Sequence, residues 1–124
     1  MANPSTVNAT ASGKEVLRRT FSDGAGETAS IILTAPTNHI ITILSIVIIE
    51  QSDLTDAKFD LFVLPDGGSA LYLLVNQEVG TRETFVWNDK FVLTGGDVLK
   101  TQTYSVAGTA TVDIWCSYID ADFT

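Results

Sequence analysis

The chain is organised around residues 40–51, which read Ile-Ile-Thr-Ile-Leu-Ser-Ile-Val-Ile-Ile-Glu-Gln. Branched apolar residues dominate this stretch, and such a run is typical of a buried β-strand. Successive side chains of a strand point to opposite faces, so regular alternation predicts an apolar set on each face. The first set is Ile40, Leu44, Ile46 and Ile48, and the second is Ile41, Ile43, Val47 and Ile49. Exposing an Ile or Leu forfeits about 1.5 to 3 kcal/mol of burial free energy, so we expect both faces to be covered, the second by the chain's own N-terminal arm or by another subunit.

Short segments of alternating apolar and polar residues lie on both sides of this central strand. Turn residues separate them, including Ala-Pro-Thr-Asn at 35–38, Pro-Asp-Gly-Gly at 65–68 and Thr-Gly-Gly-Asp at 94–97. The predicted strands cover residues 16–21, 29–34, 57–63, 71–75, 83–87, 91–93, 98–104 and 109–119. We find no convincing helical period. This pattern predicts an all-β fold, an antiparallel β-sandwich that is either jelly-roll-like or immunoglobulin-like.

Residues 1–13 differ from the rest because they are small and polar and show no period. Such a segment lacks the apolar area that would offset the entropy of ordering it alone. We therefore expect an extended N-terminal arm at residues 1–13 that lies on a neighbouring subunit. The sandwich domain is expected to span residues 14–124.

Outward-pointing apolar side chains predict contacts with other proteins. In the last strand, the alternation predicts Val112, Ile114, Cys116 and Tyr118 inward and Trp115 outward. Residues 71–75 are apolar on both faces, and apolar patches of this extent are uncommon on free monomers. The candidate interface residues are Ile41, Ile43, Val47, Ile49, Tyr72, Leu74 and Trp115.

The charge balance argues against nucleic acid as a partner. The chain has 124 residues with 7 basic and 15 acidic side chains, a formal net charge of −8. Charges in residues 1–39 cancel, so the acidic excess begins at Ile40. Nucleic-acid affinity comes mostly from Lys and Arg neutralising phosphates, which an acidic body disfavours. Residues 40–49 are too few to span a bilayer, and residues 1–10 do not read as a secretory signal, so we expect synthesis in the cytoplasm.

The catalytic and metal-binding patterns in the sequence are weak. His39 is the single histidine, and at the start of the central strand it is best interpreted as a polar strand-end residue. Cys116 is the single cysteine, so it forms no intrachain disulfide and is predicted to lie in the core. A structural zinc site needs several Cys or His ligands, which the chain lacks. We predict no enzyme activity, no catalytic residue and no cofactor.

Carboxylates are preferred ligands of calcium, and they cluster in two places in the sequence. Asp53, Asp56 and Asp60 lie close in sequence, and Asp120 and Asp122 lie near the C-terminus. Neither spacing matches the calcium loop of an EF-hand, so a solvated acidic loop is the preferred interpretation.

Several segments together carry a family resemblance. They are Ile-Leu-Thr-Ala-Pro at 32–36, the Ile-rich strand, Phe-Asp-Leu-Phe-Val-Leu-Pro-Asp-Gly-Gly at 59–68, Phe-Val-Leu-Thr-Gly-Gly-Asp-Val-Leu at 91–99, and Ser-Val-Ala-Gly-Thr-Ala-Thr-Val-Asp-Ile-Trp-Cys-Ser-Tyr-Ile at 105–119. Over about residues 28–120 the chain resembles small β-sandwich virion structural proteins of tailed bacteriophages. In that group a proline turn leads into a hydrophobic strand, and a Leu-x-x-Gly-Asp-x-Leu turn precedes the last hairpin.

The resemblance implies a structural component of the virion and carries over no catalytic residues. A capsid decoration (cement) protein is the first expectation, and a neck, tail or baseplate component is the alternative. The implied partners are further copies of the chain, with a trimer favoured, and other virion proteins such as the major capsid protein. A second alternative comes from the residues themselves, since an outward Trp115 beside Asp113 could stack on a sugar, as in carbohydrate-binding β-sandwich modules that serve host attachment.

Overall fold

A computed structural model of the chain describes residues 14–25, 29–50, 57–80, 82–105 and 112–124. These residues form β-strands joined by turns, and no helix that could cross a membrane occurs among them. The strands are β1 Lys14–Ala25, β2 Ser30–Thr34, β3 His39–Ile49, β4 Ala57–Leu64, β5 Leu71–Val79, β6 Thr84–Trp87, β7 Phe91–Thr94, β8 Val98–Ser105 and β9 Val112–Asp122.

The strands form two antiparallel sheets that pack face to face. The first sheet has the order β1-β9-β3-β6, with β7 also paired to β3, and the second has the order β2-β8-β4-β5. β7 pairs with the first half of β3, from Ile40 to Ile43, and β6 pairs with the second half, from Ile46 to Ile49. β6 and β7 therefore act as one interrupted strand.

The pairing is nested, and this identifies the topology. β1 pairs with β9, β2 with β8, β3 with the interrupted β6 and β7, and β4 with β5. A chain paired in this way is one long hairpin wrapped into two sheets of four strand positions each, which is the arrangement of a jelly roll. The prediction of an antiparallel β-sandwich is confirmed, and of its two variants the jelly roll is the one observed.

β5 is longer than the sequence predicted, because residues 76–79 continue the strand where a loop was expected. Asn76 has a φ of 50° and its backbone N–H donates to Asp60 Oδ1 at 2.8 Å. The pairing of β4 with β5 shifts register at this point, so Asn76 forms a β-bulge and the strand continues beyond it.

A bulge in β3 corrects the predicted division of its side chains between two faces. Ile43 lies opposite Tyr118 and Ser45 lies opposite Ser117, so Leu44 is an extra residue without its own partner on β9. The alternation changes phase at Leu44. The residues of β3 that point into the core are Ile41, Ile43, Ile46 and Ile48, two from each predicted set.

The core lies between the two sheets. It contains the four inward isoleucines of β3, Phe59 and Leu61 of β4, and the inward side chains of β9. Val112, Ile114, Cys116 and Tyr118 are all buried, which confirms the inward set predicted for the last strand. The predicted arm at residues 1–13 and the predicted acidic-loop residues Asp53 and Asp56 lie outside the described residues.

Candidate interaction surface

The outer face of the first sheet carries two rows of apolar side chains, and we call it the apolar face. Directly paired residues of neighbouring strands share a face, so the register defines each row. One row is Phe21, Trp115, Val47 and Val86, and the other is Leu17, Ile119, Thr42 and Val92. Phe21 and Val92 are each 55% exposed and Leu17 is 51% exposed, so large apolar side chains face outward.

A groove separates the two rows. Its volume is about 670 Å³ and it is lined by Leu17, Arg18, Arg19, Leu44, Ser45, Lys90 and Ser117. Ser117 lies opposite Arg19 on β1 and opposite Ser45 on β3, so the row between the two apolar rows carries short side chains at its centre. The bulge at Leu44 adds a second β3 side chain to the same lining.

Arg19 and Phe21 hold Trp115 in a fixed environment. The guanidinium of Arg19 lies 4.7 Å from the centre of the Trp115 ring, within range of a cation–π interaction. Phe21 meets the same indole edge-to-face, with ring centres 6.0 Å apart and an interplanar angle of 75°. Tryptophan and arginine are the residues most enriched at the energetic centres of protein interfaces.

A polar network joins β1, β3 and β9 on the inner side of the same sheet, where Asp120 pairs with the core residue Ile41. Asp120 accepts a hydrogen bond from Arg18 Nε at 3.2 Å, and His39 Nδ1 lies 2.6 Å from its other carboxylate oxygen. His39 Nε2 lies 3.4 Å from Asp122 Oδ1. The pairing of His39 with these aspartates was not predicted, since the partners are brought together by the register of β3 on β9. The network joins side chains from three strands, and we interpret it as structural.

The two sheets divide the predicted interface residues. Val47 and Trp115 are neighbours in one row of the apolar face, and Ile49 lies further along the same face of β3. Tyr72 is 54% exposed but belongs to the second sheet, where its ring packs 5.1 Å from that of Phe62. Leu74, also on the second sheet, packs partly against the core.

Ile41 and Ile43 were wrongly assigned to an interface. They are 1% and 0% exposed, because the bulge at Leu44 places both on the core side of β3. Four exposed residues of the apolar face on other strands were not predicted, namely Leu17, Phe21, Val86 and Val92. Leu17, Arg19 and Phe21 are each two residues apart, so they share one face of β1. This spacing was the sequence signal for outward apolar side chains on β1.

The remaining chemical candidates have structural roles. Asp60 is 6% exposed, and its two carboxylate oxygens accept hydrogen bonds from the Asn76 N–H and the Tyr104 hydroxyl, each at 2.8 Å. The hydrogen bond that the Tyr104 hydroxyl donates to Asp60 raises the pKa of Tyr104. Burial raises the pKa of the Cys116 thiol to about 12, so it is a poor nucleophile. Among the described residues, no three His, Cys, Asp or Glu side chains are grouped so that they could hold a metal ion.

The fold resembles those of several solved structures. A chain in the acid-stable capsid of Helicobacter pylori bacteriophage KHP30 superposes with a TM-score of 0.52 at 6% identity, covering 90% of this chain and 94% of that one. A chain of infectious bursal disease virus, Gx strain, superposes with a TM-score of 0.50 at 8% identity, covering 88% of this chain. This chain spans about a third of that viral protein, since 31% of its length is covered.

A chain from the disulfide-linked pili of Bacillus endospore appendages superposes with a TM-score of 0.49 at 15% identity, covering 90% of this chain and 91% of that one. No protein family matches the sequence, and no curated protein does either. At such low identities the likeness shows a shared fold. That fold occurs in chains of a phage capsid and of infectious bursal disease virus.

Proposed function

We propose that the chain is a structural protein of a virion, and specifically a capsid decoration protein that stabilises the head by binding between major capsid subunits. The observation that carries this proposal is the end-to-end superposition with a chain of similar length from a phage capsid. The likeness extends over 90% of this chain and 94% of that one, so it is not confined to one part of a larger capsid chain. Jelly rolls are a recurrent fold of viral capsid proteins.

The apolar face supplies the contact that such a protein needs. Trp115, Phe21 and Arg19 form a cluster on its β1–β9 side, and the exposed Val86 and Val92 lie on its β6–β7 side. Aromatic residues and arginine are enriched in the buried centres of interfaces, and polar residues surround them. We also expect a homo-oligomer, with a trimer favoured.

The mechanism we propose is mechanical. A decoration protein binds the assembled shell and not its dissociated subunits, so it lowers the free energy of the shell by RT ln(1 + [L]/Kd) for each independent site. Residues 1–13 are proposed to extend over a neighbouring subunit or the shell. A segment that orders on binding loses entropy, yet it reaches contacts that a rigid domain does not.

Two alternative functions are compatible with the same fold. One differs in the position of the chain on the virion, and the other differs in the ligand that the chain binds. A neck, tail or baseplate component would use the same apolar face at one vertex of the particle. A carbohydrate-binding module would stack a sugar on Trp115, but the guanidinium of Arg19 already lies over that ring at 4.7 Å. The geometry therefore favours a protein contact at Trp115 over a sugar contact.

Particles of the virus that encodes the chain provide the test. We expect gene-deleted particles to assemble and to burst at a lower temperature, and purified protein added back to restore both its regular density over the shell and the burst temperature. Labelling confined to one vertex would assign the chain to the neck or tail. Purified particles that contain no copy of the chain would refute a virion role.

Removing residues 1–13 tests the arm separately. The truncated domain should keep its melting temperature, because we expect the arm to make its contacts outside its own domain. Occupancy on the shell and the burst temperature should both fall. Unchanged occupancy with the truncated protein would show that the arm has no part in attachment.

A further inference from the structure

The groove on the apolar face has a cation at each end. Arg18 and Arg19 contribute from β1, and Lys90 contributes from the connection between β6 and β7. β1 and the interrupted β6 and β7 are three strand spacings apart in the order of the sheet, so the backbones at the two ends are separated by about 14 Å. Ser45 and Ser117 lie between these ends.

The charge of the groove is opposite to that of the chain. Three of the 7 basic residues line this one depression, while the chain as a whole has a net charge of −8. Arg18 is paired with Asp120, and Arg19 contacts the Trp115 ring. Within the described residues, neither Arg19 nor Lys90 forms an ion pair. Two positive charges therefore remain for an anionic partner.

We propose that the groove binds an extended acidic segment of another protein, with the pattern acidic-x-apolar-x-acidic. In an extended segment, residues four apart lie about 13 Å from each other and point to the same side, which matches the spacing of the two ends. The two carboxylates reach Arg19 and Lys90. The residue midway between them points into the groove, over the serines and between Leu17 and Leu44.

Charge also argues against the two occupants that the chain itself offers. Residues 1–13 contain no Asp or Glu, so the arm has no carboxylate to place at either end of the groove. A second copy that packed its apolar face against this one would bring the cations of both grooves together, and like charges within an interface are unfavourable. A binding site for an acidic segment is independent of whether the chain is a virion protein.

Nuclear magnetic resonance titration of the whole chain tests this site. The probe is the capped peptide Ser-Thr-Asp-Thr-Val-Thr-Asp-Thr-Ser, and the matched control carries Asn at both Asp positions. We expect the first peptide to produce saturable shifts of the Leu44, Ser45 and Ser117 amides. Because the contact is ionic, raising the salt from about 50 to about 300 mM should weaken it.

Charge reversal locates the binding energy. Arg19→Glu with Lys90→Glu should raise the Kd for the acidic peptide about tenfold or more, which corresponds to about 1.4 kcal/mol. Lys58→Glu with Lys100→Glu, on the second sheet, is the matched control and should leave the Kd unchanged. Lys90→Glu alone, in a connection outside the strands, provides the same test if the double variant fails to fold.

Four results would overturn the proposal. They are the absence of shifts at millimolar peptide, equal shifts with the Asn peptide, equal weakening in the second-sheet control, and groove amides that already report another occupant. The last case would appear as shifts on removing residues 1–13, which would assign the groove to the arm. It would also appear as shifts on diluting the chain alone, which would assign the groove to a second copy.

Discussion

The outer faces of the two sheets differ in where their β-bulges lie and in how their polar side chains are paired. The first sheet has one bulge on its edge strand β1 and a second inside β3, an interior strand, beside a groove bordered by apolar rows. The second sheet has its bulges on β2 and β5, the two edge strands. Bulges at an edge bend the strand and hinder pairing with other chains, whereas an interior bulge reshapes the surface.

The second sheet also satisfies its outer polar groups with its own residues. The buried carboxylate of Asp60 connects β4 to Asn76 on β5 and to Tyr104 on β8. Phe62 and Tyr72 pack their rings beside this site. We therefore propose that the first sheet binds a partner. We call the outer face of the second sheet the self-closing face, because Asp60 links its strands, although Ile31 and Tyr72 are also exposed on it.

The largest expected effect tests the bulge that creates the groove. Ile46 is 0% exposed, so Ile46→Ala should lower the free energy of unfolding by about 2 to 5 kcal/mol. Leu44→Ala should cost about 1 kcal/mol or less, because Leu44 lines an open groove and not the core. Urea denaturation measures both. Regular alternation would place the two residues on one face, so similar losses would contradict the bulge.

The strands could be predicted from the sequence because alternation and turn residues are local signals. The facing of β3 could not, because Leu44 is an extra residue only relative to β9, which has no residue to match it. Ile41 and Ile43 were assigned to the wrong side for this reason. The residues on both sides of the bulge include chemically identical isoleucines, so residue type does not indicate where the alternation changes phase.

The candidate site was predicted in part. Trp115 and Val47 were recognised as outward residues, and the register makes them neighbours. The basic residues of the groove were not predicted. Arg19 and Lys90 are far apart in sequence, and only the strand order of the sheet places them at the two ends of one groove, three strand spacings apart. The same holds for His39 and Asp120, which the pairing of β3 with β9 brings within 2.6 Å. Such pairs depend on topology, which local patterns do not contain.

The next effect concerns the self-closing face. Asp60→Ala leaves the Asn76 N–H and the Tyr104 hydroxyl without their acceptor, and should cost about 1 to 3 kcal/mol in urea denaturation. The control is Glu78→Ala, which removes an exposed pairing with Lys58 at 3.7 Å and should cost about 0 to 1 kcal/mol. Equal losses would mean that Asp60 does not hold this face together.

A smaller effect depends on pH and lies in the turn between β7 and β8. The Thr94 backbone N–H is the main cause that lowers the pKa of Asp97 from 3.8, and the Asp66 backbone N–H and the Thr94 hydroxyl act in the same direction. Between the lowered folded value and 3.8 the unfolded chain binds more protons, so stability rises with pH.

Asp97 therefore stabilises the fold above its ordinary pKa of 3.8, and this contribution is lost as the pH falls through the lowered folded value. We expect Asp97→Asn to flatten the acid limb of a stability–pH profile. Thr94→Val keeps the backbone donor and should retain most of the slope. An acid limb unchanged in Asp97→Asn would show that this carboxylate is not coupled to folding.

The smallest effect on stability decides most directly which face binds a partner. Val86 and Val92 are 47% and 55% exposed on the apolar face, and Val75 is 63% exposed on β5 of the second sheet. Threonine has nearly the shape of valine and retains its strand preference, so Val86→Thr with Val92→Thr, or Val75→Thr alone, should change the free energy of unfolding by about 0.5 kcal/mol or less.

Attachment should separate the two variants that stability does not. The double variant places two hydroxyls within the proposed contact and should lower occupancy on the particle, since each hydroxyl loses water on binding without a matched partner. Val75→Thr changes the self-closing face and should bind like the unmodified chain. If Val75→Thr lowers occupancy as much as the double variant, the second sheet is the binding face and the division drawn between the two sheets is wrong.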